Sequence, residues 1–239
     1  MNQVTFSRDF RVEYSSCDSK NEMKLSYILK KSQEISMEHC DEIGIGRTFL
    51  LGINKVFLLA KINLNVINMP KGGDRLKIET IPYFPERLQY QRLNRFYNEH
   101  GELMIDVDSR WILVDTQSGR ITRNIPDEFP KDAFNVHQGL EDFRIHKVDE
   151  MKFAERVKVR YSLTDTNHHL NNAAYADIIC NCVEDRLVSG SIDAFSIIYH
   201  HEAKFSQSVD LYKGCQNDII YIKGTVDNAS CFESSLKII

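Results

Sequence analysis

The sequence predicts an α+β protein in which a helix lies against an antiparallel sheet, with the arrangement occurring twice. Two observations carry the prediction. The first is a repeat: Tyr14-Ser-Ser-Cys-Asp18 precedes an apolar-periodic helix from about Leu25 to Ile43, and Tyr161-Ser-Leu-Thr-Asp165 precedes a second helix from Ala173 to about Leu187. The second is hairpin punctuation. Asn98-Glu-His-Gly101 separates two strand patterns, and Pro70-Lys-Gly-Gly-Asp74 is a turn cluster. After the first turn, Leu103, Ile105, Val107, Trp111 and Leu113 fall on alternate positions, as one buried strand face requires.

Taken in order, the first half reads as an extended segment, the helix, and strands at 56–66, 76–81, 88–97 and 103–115. The second half repeats this, with strands near 195–205, 208–213, 218–226 and 230–238. Residues 116–152 are richer in charge and hold Pro126 and Pro130, which marks them as a connector. The boundaries expected are 1–115 for the N-terminal unit, 116–154 for the connector and 155–239 for the C-terminal unit.

Composition narrows the class. The chain has 239 residues, 42% hydrophobic and 27% charged, with a net charge of −4, which argues against nucleic acid as a partner. No apolar run is long enough to span a membrane, and the N-terminus lacks a signal-peptide core, so a cytoplasmic location and no membrane partner are expected. Six scattered cysteines with no CxxC pair suit free thiols.

Chemistry concentrates in Asp165-Thr-Asn-His-His-Leu-Asn-Asn172. A carboxylate, imidazoles and carboxamides crowd the entrance to a buried helix, where unpaired N–H groups and the dipole favour a polarised oxygen. Capping alone needs one such side chain. Downstream, Glu202 lies within the segment 195–205. As a strand, this segment puts Tyr199, His201, Ala203 and Phe205 on one face and His200, Glu202 and Lys204 on the other. A carboxylate there is solvated or part of a site. The first half carries Lys20 and Glu22 at the positions of Asn167 and His169, so one site per chain is expected. No metal is expected. His200 and His201 point to opposite faces of a strand, and no ligand spacing is present.

Asp165-x-Asn-x-His-x-Asn-Asn172 at a helix start, in the second of two such halves, resembles the acyl-ACP thioesterases, double-hotdog enzymes of plant plastids and bacteria. Val157–Tyr161, Asn172-Ala-Ala-Tyr175, the hairpin from Asn98 to Asp115 and Arg120–Glu128 are similar in the same order. The resemblance implies a tandem double hotdog, two antiparallel sheets each wrapping a central helix. It also implies hydrolysis of acyl-ACP to free fatty acid and holo-ACP in fatty acid biosynthesis, without a cofactor. It assigns catalysis to Asp165, Asn167, His169 and Glu202. An acyl carrier protein is the expected partner and a homodimer the expected assembly. Ala203 stands where the plant enzymes often carry a cysteine, which excludes a cysteine nucleophile there, and His168 replaces the usual Gly or Gln.

On this reading Glu202 or Asp165 activates water, or Asp165 attacks the carbonyl itself, while His169 orients or protonates and Asn167 positions. Backbone N–H groups at Asn171 and Asn172 polarise the thioester oxygen. The acyl chain is expected near Leu25, Ile28, Leu29, Ile35 and 56–59, and an acidic carrier would dock on Lys30, Lys31, Arg87, Arg92, Arg95 or Arg110. The alternatives are an acyl-CoA thioesterase and a non-catalytic acyl-binding hotdog protein.

Overall fold

The computed structural model describes residues 4–130, 132–136, 143–145 and 147–239. Parts of the expected connector (131, 137–142 and 146) lie outside the described residues.

Among the described residues each half contributes five strands. The first half holds β1 (Phe6–Arg11), α1 (Leu25–Glu42), α2 (Arg47–Gly52), β2 (Lys55–Val66), β3 (Arg75–Pro82), β4 (Tyr90–Asn98) and β5 (Leu103–Asp115). The second holds β6 (Lys152–Lys158), α3 (Ala174–Asn181), α4 (Glu184–Leu187), β7 (Ile192–Tyr199), β8 (Ser208–Gln216), β9 (Ile219–Val226) and β10 (Ala229–Ile238). One-turn 3-10 helices at Tyr14–Ser16 and Tyr161–Leu163 precede the two motif turns. The order across the sheet, β1-β3-β4-β5-β2-β7-β10-β9-β8-β6, runs through the first half and then through the second in reverse.

The expected pair of sheets is corrected to one. β2 and β7 pair antiparallel from Lys61↔Ile198 to Asn65↔Ala194, so the halves share a ten-stranded sheet among the described residues. Joining there satisfies the backbone of two strands that would otherwise be exposed edges. The helices touch one another, α1 against α3.

Two further expectations change. The strand expected over 195–205 ends at Tyr199, and the alternation of faces stops with it: His201, Glu202 and Phe205 are exposed while Ala203 is fully buried. The helix expected to run to Leu187 divides after Asn181, because Val183 leaves the helical region (φ −127°) while its side chain stays buried.

The second half has an apolar core. Phe195, Ile197, Leu211, Ile222 and Phe232 are all inaccessible to solvent, beneath Tyr175 and Ile179 of α3. The first half is different. The buried face of α1 includes Leu25, Ile28, Leu29 and Ile35, but also Ser32, Ser36 and His39. Thr80, Arg92, Asn94 and Ser109 of the sheet are buried as well. An aromatic cluster of Phe49, Phe57, Tyr90, Phe129 and Phe134 packs beyond them, closed by residues of the connector.

Candidate functional site

The stretch from Asp165 to Leu170 forms a tight turn built around one carboxylate. Asp165 Oδ1 accepts the N–H groups of Asn167 (2.8 Å) and His169 (3.2 Å), and the Asp165 N–H donates to the His169 carbonyl at 2.8 Å. His168 completes the turn in the left-handed region at φ 62°. Asn167 Nδ2 lies 3.4 Å from Asp165 Oδ2.

Glu202 comes to this turn from the far side of the sequence. Just past β7 the chain runs beside the motif. Leu170 N–H donates to the Ala203 carbonyl (2.7 Å) and Phe205 N–H to the His168 carbonyl (3.0 Å). These bonds set His169 Nδ1 3.1 Å from Glu202 Oε2, with the two side chains 24% and 55% exposed. The pair therefore faces solvent, where a bulky thioester has access.

Two tyrosines fix the Glu202 segment. Tyr175 Oη accepts the Ala203 N–H at 3.3 Å and meets Cys231 Sγ at 3.4 Å. Tyr199 Oη donates to the Asn172 carbonyl at 3.0 Å, joining the end of β7 to the entrance of α3. Cys231 Sγ in turn donates to the His201 carbonyl at 3.0 Å. Burial, then the neighbouring Cys231, raises the Tyr175 phenol, and burial, opposed by the hydrogen bond with Tyr175, leaves the Cys231 thiol above its ordinary value, so both stay protonated. In the sequence Tyr175 reads as part of the helix's apolar face and of the resemblance; its contact with Ala203 depends on a residue 28 positions away.

The two asparagines shape the helix entrance. Asn171 Oδ1 caps the Ala173 N–H at 2.9 Å and its carbonyl accepts the Ala174 N–H at 2.8 Å. Neither of those N–H groups is thus open to a ligand, and the Asn171 N–H, expected to polarise the thioester oxygen, donates instead to the Leu163 carbonyl at 2.9 Å. His200 turns away from the site, with Nε2 3.1 Å from Glu233 Oε2. Among the described residues no group of three or more His, Cys, Asp or Glu gathers as a metal site.

The first half repeats the turn without the chemistry. Asp18 Oδ1 accepts the N–H groups of Lys20 (2.8 Å) and Glu22 (2.9 Å), Asn21 sits at φ 62°, and Met23 N–H donates to the Pro70 carbonyl at 2.8 Å. Met69 therefore stands where Glu202 stands in the second half. Lys20 and Glu22 pair at 2.9 Å, Ser191 Oγ donates to Glu22 Oε1 at 2.9 Å, and Lys20 also reaches the Gly190 carbonyl. An ion pair within the first half, hydrogen-bonded to Ser191 and Gly190 of the other half, fills the place of a site. At the other end the approach is reciprocal but weaker, with Arg47 Nη1 3.4 Å from Thr166 Oγ1.

The expected docking cations separate on burial. Arg92 and Arg110 are 6% and 2% exposed and cannot meet a partner. Arg95 pairs with Asp106 and Lys31 with Glu34, which leaves Lys30 and Arg87 as the exposed members of that set.

Two helix-and-five-strand units joined edge to edge, with one polar turn intact, define a tandem hotdog protein. Residues 3–132 match the model of the acyl-ACP thioesterase N-terminal domain and residues 146–233 that of the acyl-ACP thioesterase C-terminal domain. The chain belongs to the acyl-ACP thioesterase family. It is 22% identical over 218 residues to the chloroplastic dodecanoyl-[acyl-carrier-protein] hydrolase of Cinnamomum camphora, a match spanning 83% of this chain and 56% of that protein. An acyl-ACP thioesterase from Bacteroides thetaiotaomicron shares its fold at a TM-score of 0.90 and 14% identity, over 98% of both chains. The 12:0-ACP thioesterase of Umbellularia californica does so at 0.87 and 17%, over 100% of this chain and 98% of that one. Among the described residues no helix is long and apolar enough to cross a membrane.

Proposed function

We propose that this chain hydrolyses acyl-ACP thioesters to free fatty acid and holo-ACP, with His169 and Glu202 at the reacting centre. The observation that carries the reading is their 3.1 Å pairing across two separate segments, in the one half that keeps Asn167. The non-catalytic alternative has no use for that pair.

Glu202 accepts a hydrogen bond from His169 Nδ1 and so directs the second ring nitrogen, Nε2, to act as base. Water loses its proton to His169 as its oxygen attacks the thioester carbon. The tetrahedral oxyanion then collapses, the C–S bond breaks, and the imidazolium returns the proton to the leaving thiolate. Asn167, exposed and adjacent to Asp165, offers an amide to the water or to the oxyanion. With the Ala173 and Ala174 N–H groups taken by Asn171 and the Asn171 N–H taken by the Leu163 carbonyl, the N–H of Asn172 is the helix-entrance donor retained in this reading.

Asp165 is a positioning residue in this proposal rather than a nucleophile. Its Oδ1 holds two N–H groups of the turn, and direct attack on a carbonyl would give up bonds that orient His169. Asp18 makes the same bonds where no catalytic set exists. The division into units 1–115, 116–154 and 155–239 belongs to the same proposal, as do a homodimer and a cytoplasmic setting.

The test is thiol release from acyl-ACPs and matching acyl-CoAs, with Glu202→Gln alongside. Turnover of acyl-ACP that is lost in the variant supports the reading. Preference for the CoA series moves the chain to the CoA thioesterases, and no turnover of either overturns the enzyme assignment.

A further inference from the structure

We propose that Arg92, with the polar layer around it, forms the floor of the acyl-binding region and limits the length of the chain this protein accepts. The inference rests on the hydrolase reading above for the identity of the ligand.

Arg92 lies on β4 beneath α1, and its hydrogen-bond partners are all neutral groups. Nη1 donates to Thr80 Oγ1 at 3.0 Å and meets His39 Nδ1 at 3.1 Å, and Nη2 reaches Cys40 Sγ at 3.3 Å. Burial, then the Arg92 cation itself, pushes His39 down to about 4, so its neutral ring accepts from the guanidinium. Nearby, Ser36 Oγ faces Asn94 Oδ1 at 3.4 Å, and Ser109 Oγ donates to the Arg92 carbonyl at 3.0 Å. Ser32 Oγ, on the same face of α1, is buried with no hydrogen-bond partner among the described residues. A buried cation without a carboxylate and an orphaned hydroxyl are both costly, and a fold keeps such a layer when it does something.

The sheet leads from the site to this layer. β7 ends at Tyr199, three residues before Glu202, and its Ile197 lies in register with Ile62 of β2, Ser109 of β5 and Arg92 of β4. All four are buried. The row starts apolar and ends at a cation three strand spacings away, about 14 Å at the usual separation of hydrogen-bonded strands. An alkyl chain entering from the His169–Glu202 end and following this row finds apolar surface first. It then meets N–H donors for which a methyl group has no acceptor. Stopping short costs nothing; pressing on strips the guanidinium of its partners. The aromatic cluster around Tyr90 and Phe134 is a core group separate from the one that holds Ile62 and Ile197.

The experiment is hydrolysis of a graded series of saturated acyl-ACPs by the wild type, Arg92→Met and Thr80→Val, each checked by thermal melting. Methionine keeps the length of the arginine stem and removes the charge. The expected result is an optimum moved toward longer chains in Arg92→Met, with relative kcat/KM for the longer acyl groups rising roughly tenfold or more per step, and a smaller shift in Thr80→Val. A folded Arg92→Met with the wild-type chain-length profile overturns the floor. If the wild type turns over no acyl-ACP, the hydrolase reading fails separately. Free fatty acids of graded length are then titrated against the same proteins, and an unchanged length dependence overturns the floor.

Discussion

Asp18 and Asp165 hold equivalent turns through equivalent bonds, each carboxylate oxygen accepting the N–H groups two and four residues ahead at 2.8–3.2 Å. What differs is the surroundings. Around Asp18 stand Lys20, Glu22 and Met69, and around Asp165 stand Asn167, His169 and Glu202. The duplication thus provides an internal control, separating what the turn needs from what the chemistry needs.

If Asp165 acts through the turn, Asp165→Asn keeps an oxygen acceptor in place and retains much of kcat, whereas Asp165→Ala loses the turn. His169→Ala and Glu202→Gln should each lower kcat by about 10²–10⁴-fold, the usual range for a general base and its partner. Steady-state kinetics on acyl-ACP decides it. Equal collapse of the Asn and Ala variants at position 165 would restore Asp165 as base or nucleophile.

Tyr175→Phe removes one hydroxyl and leaves the Ala203 N–H without its acceptor, while Cys231 loses one contact but keeps the His201 carbonyl. The expected cost is about 1–3 kcal/mol in urea unfolding, because a buried donor is left unsatisfied. A fall in kcat should accompany it, since the bond positions the residue next to Glu202. Full activity at reduced stability would show that the Glu202 segment is held by the sheet alone.

Stability should fall as pH drops from 6.5 toward 4. His39 is held down at about 4 in the folded chain, first by burial and then by Arg92, against about 6.5 unfolded. The unfolded state therefore takes up the proton first. This contribution is complete above pH 6.5, falls through the window and is lost below 4, up to about 3 kcal/mol for a shift of this size. Urea midpoints at pH 7.5, 5.5 and 4.5 test it, with His39→Asn expected to flatten the curve across that interval.

Converting the first half to the second half's residues tests the Glu202 assignment. With Lys20→Asn and Glu22→His in a Glu202→Gln background, no activity should return, because Met69 offers no carboxylate. Adding Met69→Glu supplies the missing partner. Activity regained without that third change would remove the carboxylate from the mechanism. The double change should also lower stability, since it breaks the Lys20–Glu22–Ser191 contact between the halves.

Local periodicity and turn chemistry determined much of this protein by themselves. Alternation from Leu103 to Leu113 and the Asn98–Gly101 turn gave β4 and β5, and the repeated Tyr-x-x-x-Asp gave the duplication. These signals lie within a few residues of one another, so the sequence displays them directly. The motif that shapes the second turn was legible for the same reason. Tertiary structure alone decided the rest. Glu202 looked like a strand residue because Phe195 to Phe205 alternates plausibly, yet pairing with the motif turn pulls the chain out of the sheet after Tyr199. Arg92 looked like a surface cation because arginine usually is one, and only the approach of α1 over β4 buried it. Joining the halves through β2 and β7, and bringing His169 to Glu202, depend on contacts between residues far apart in the chain. Such contacts are set by the burial of surfaces that no single segment contains.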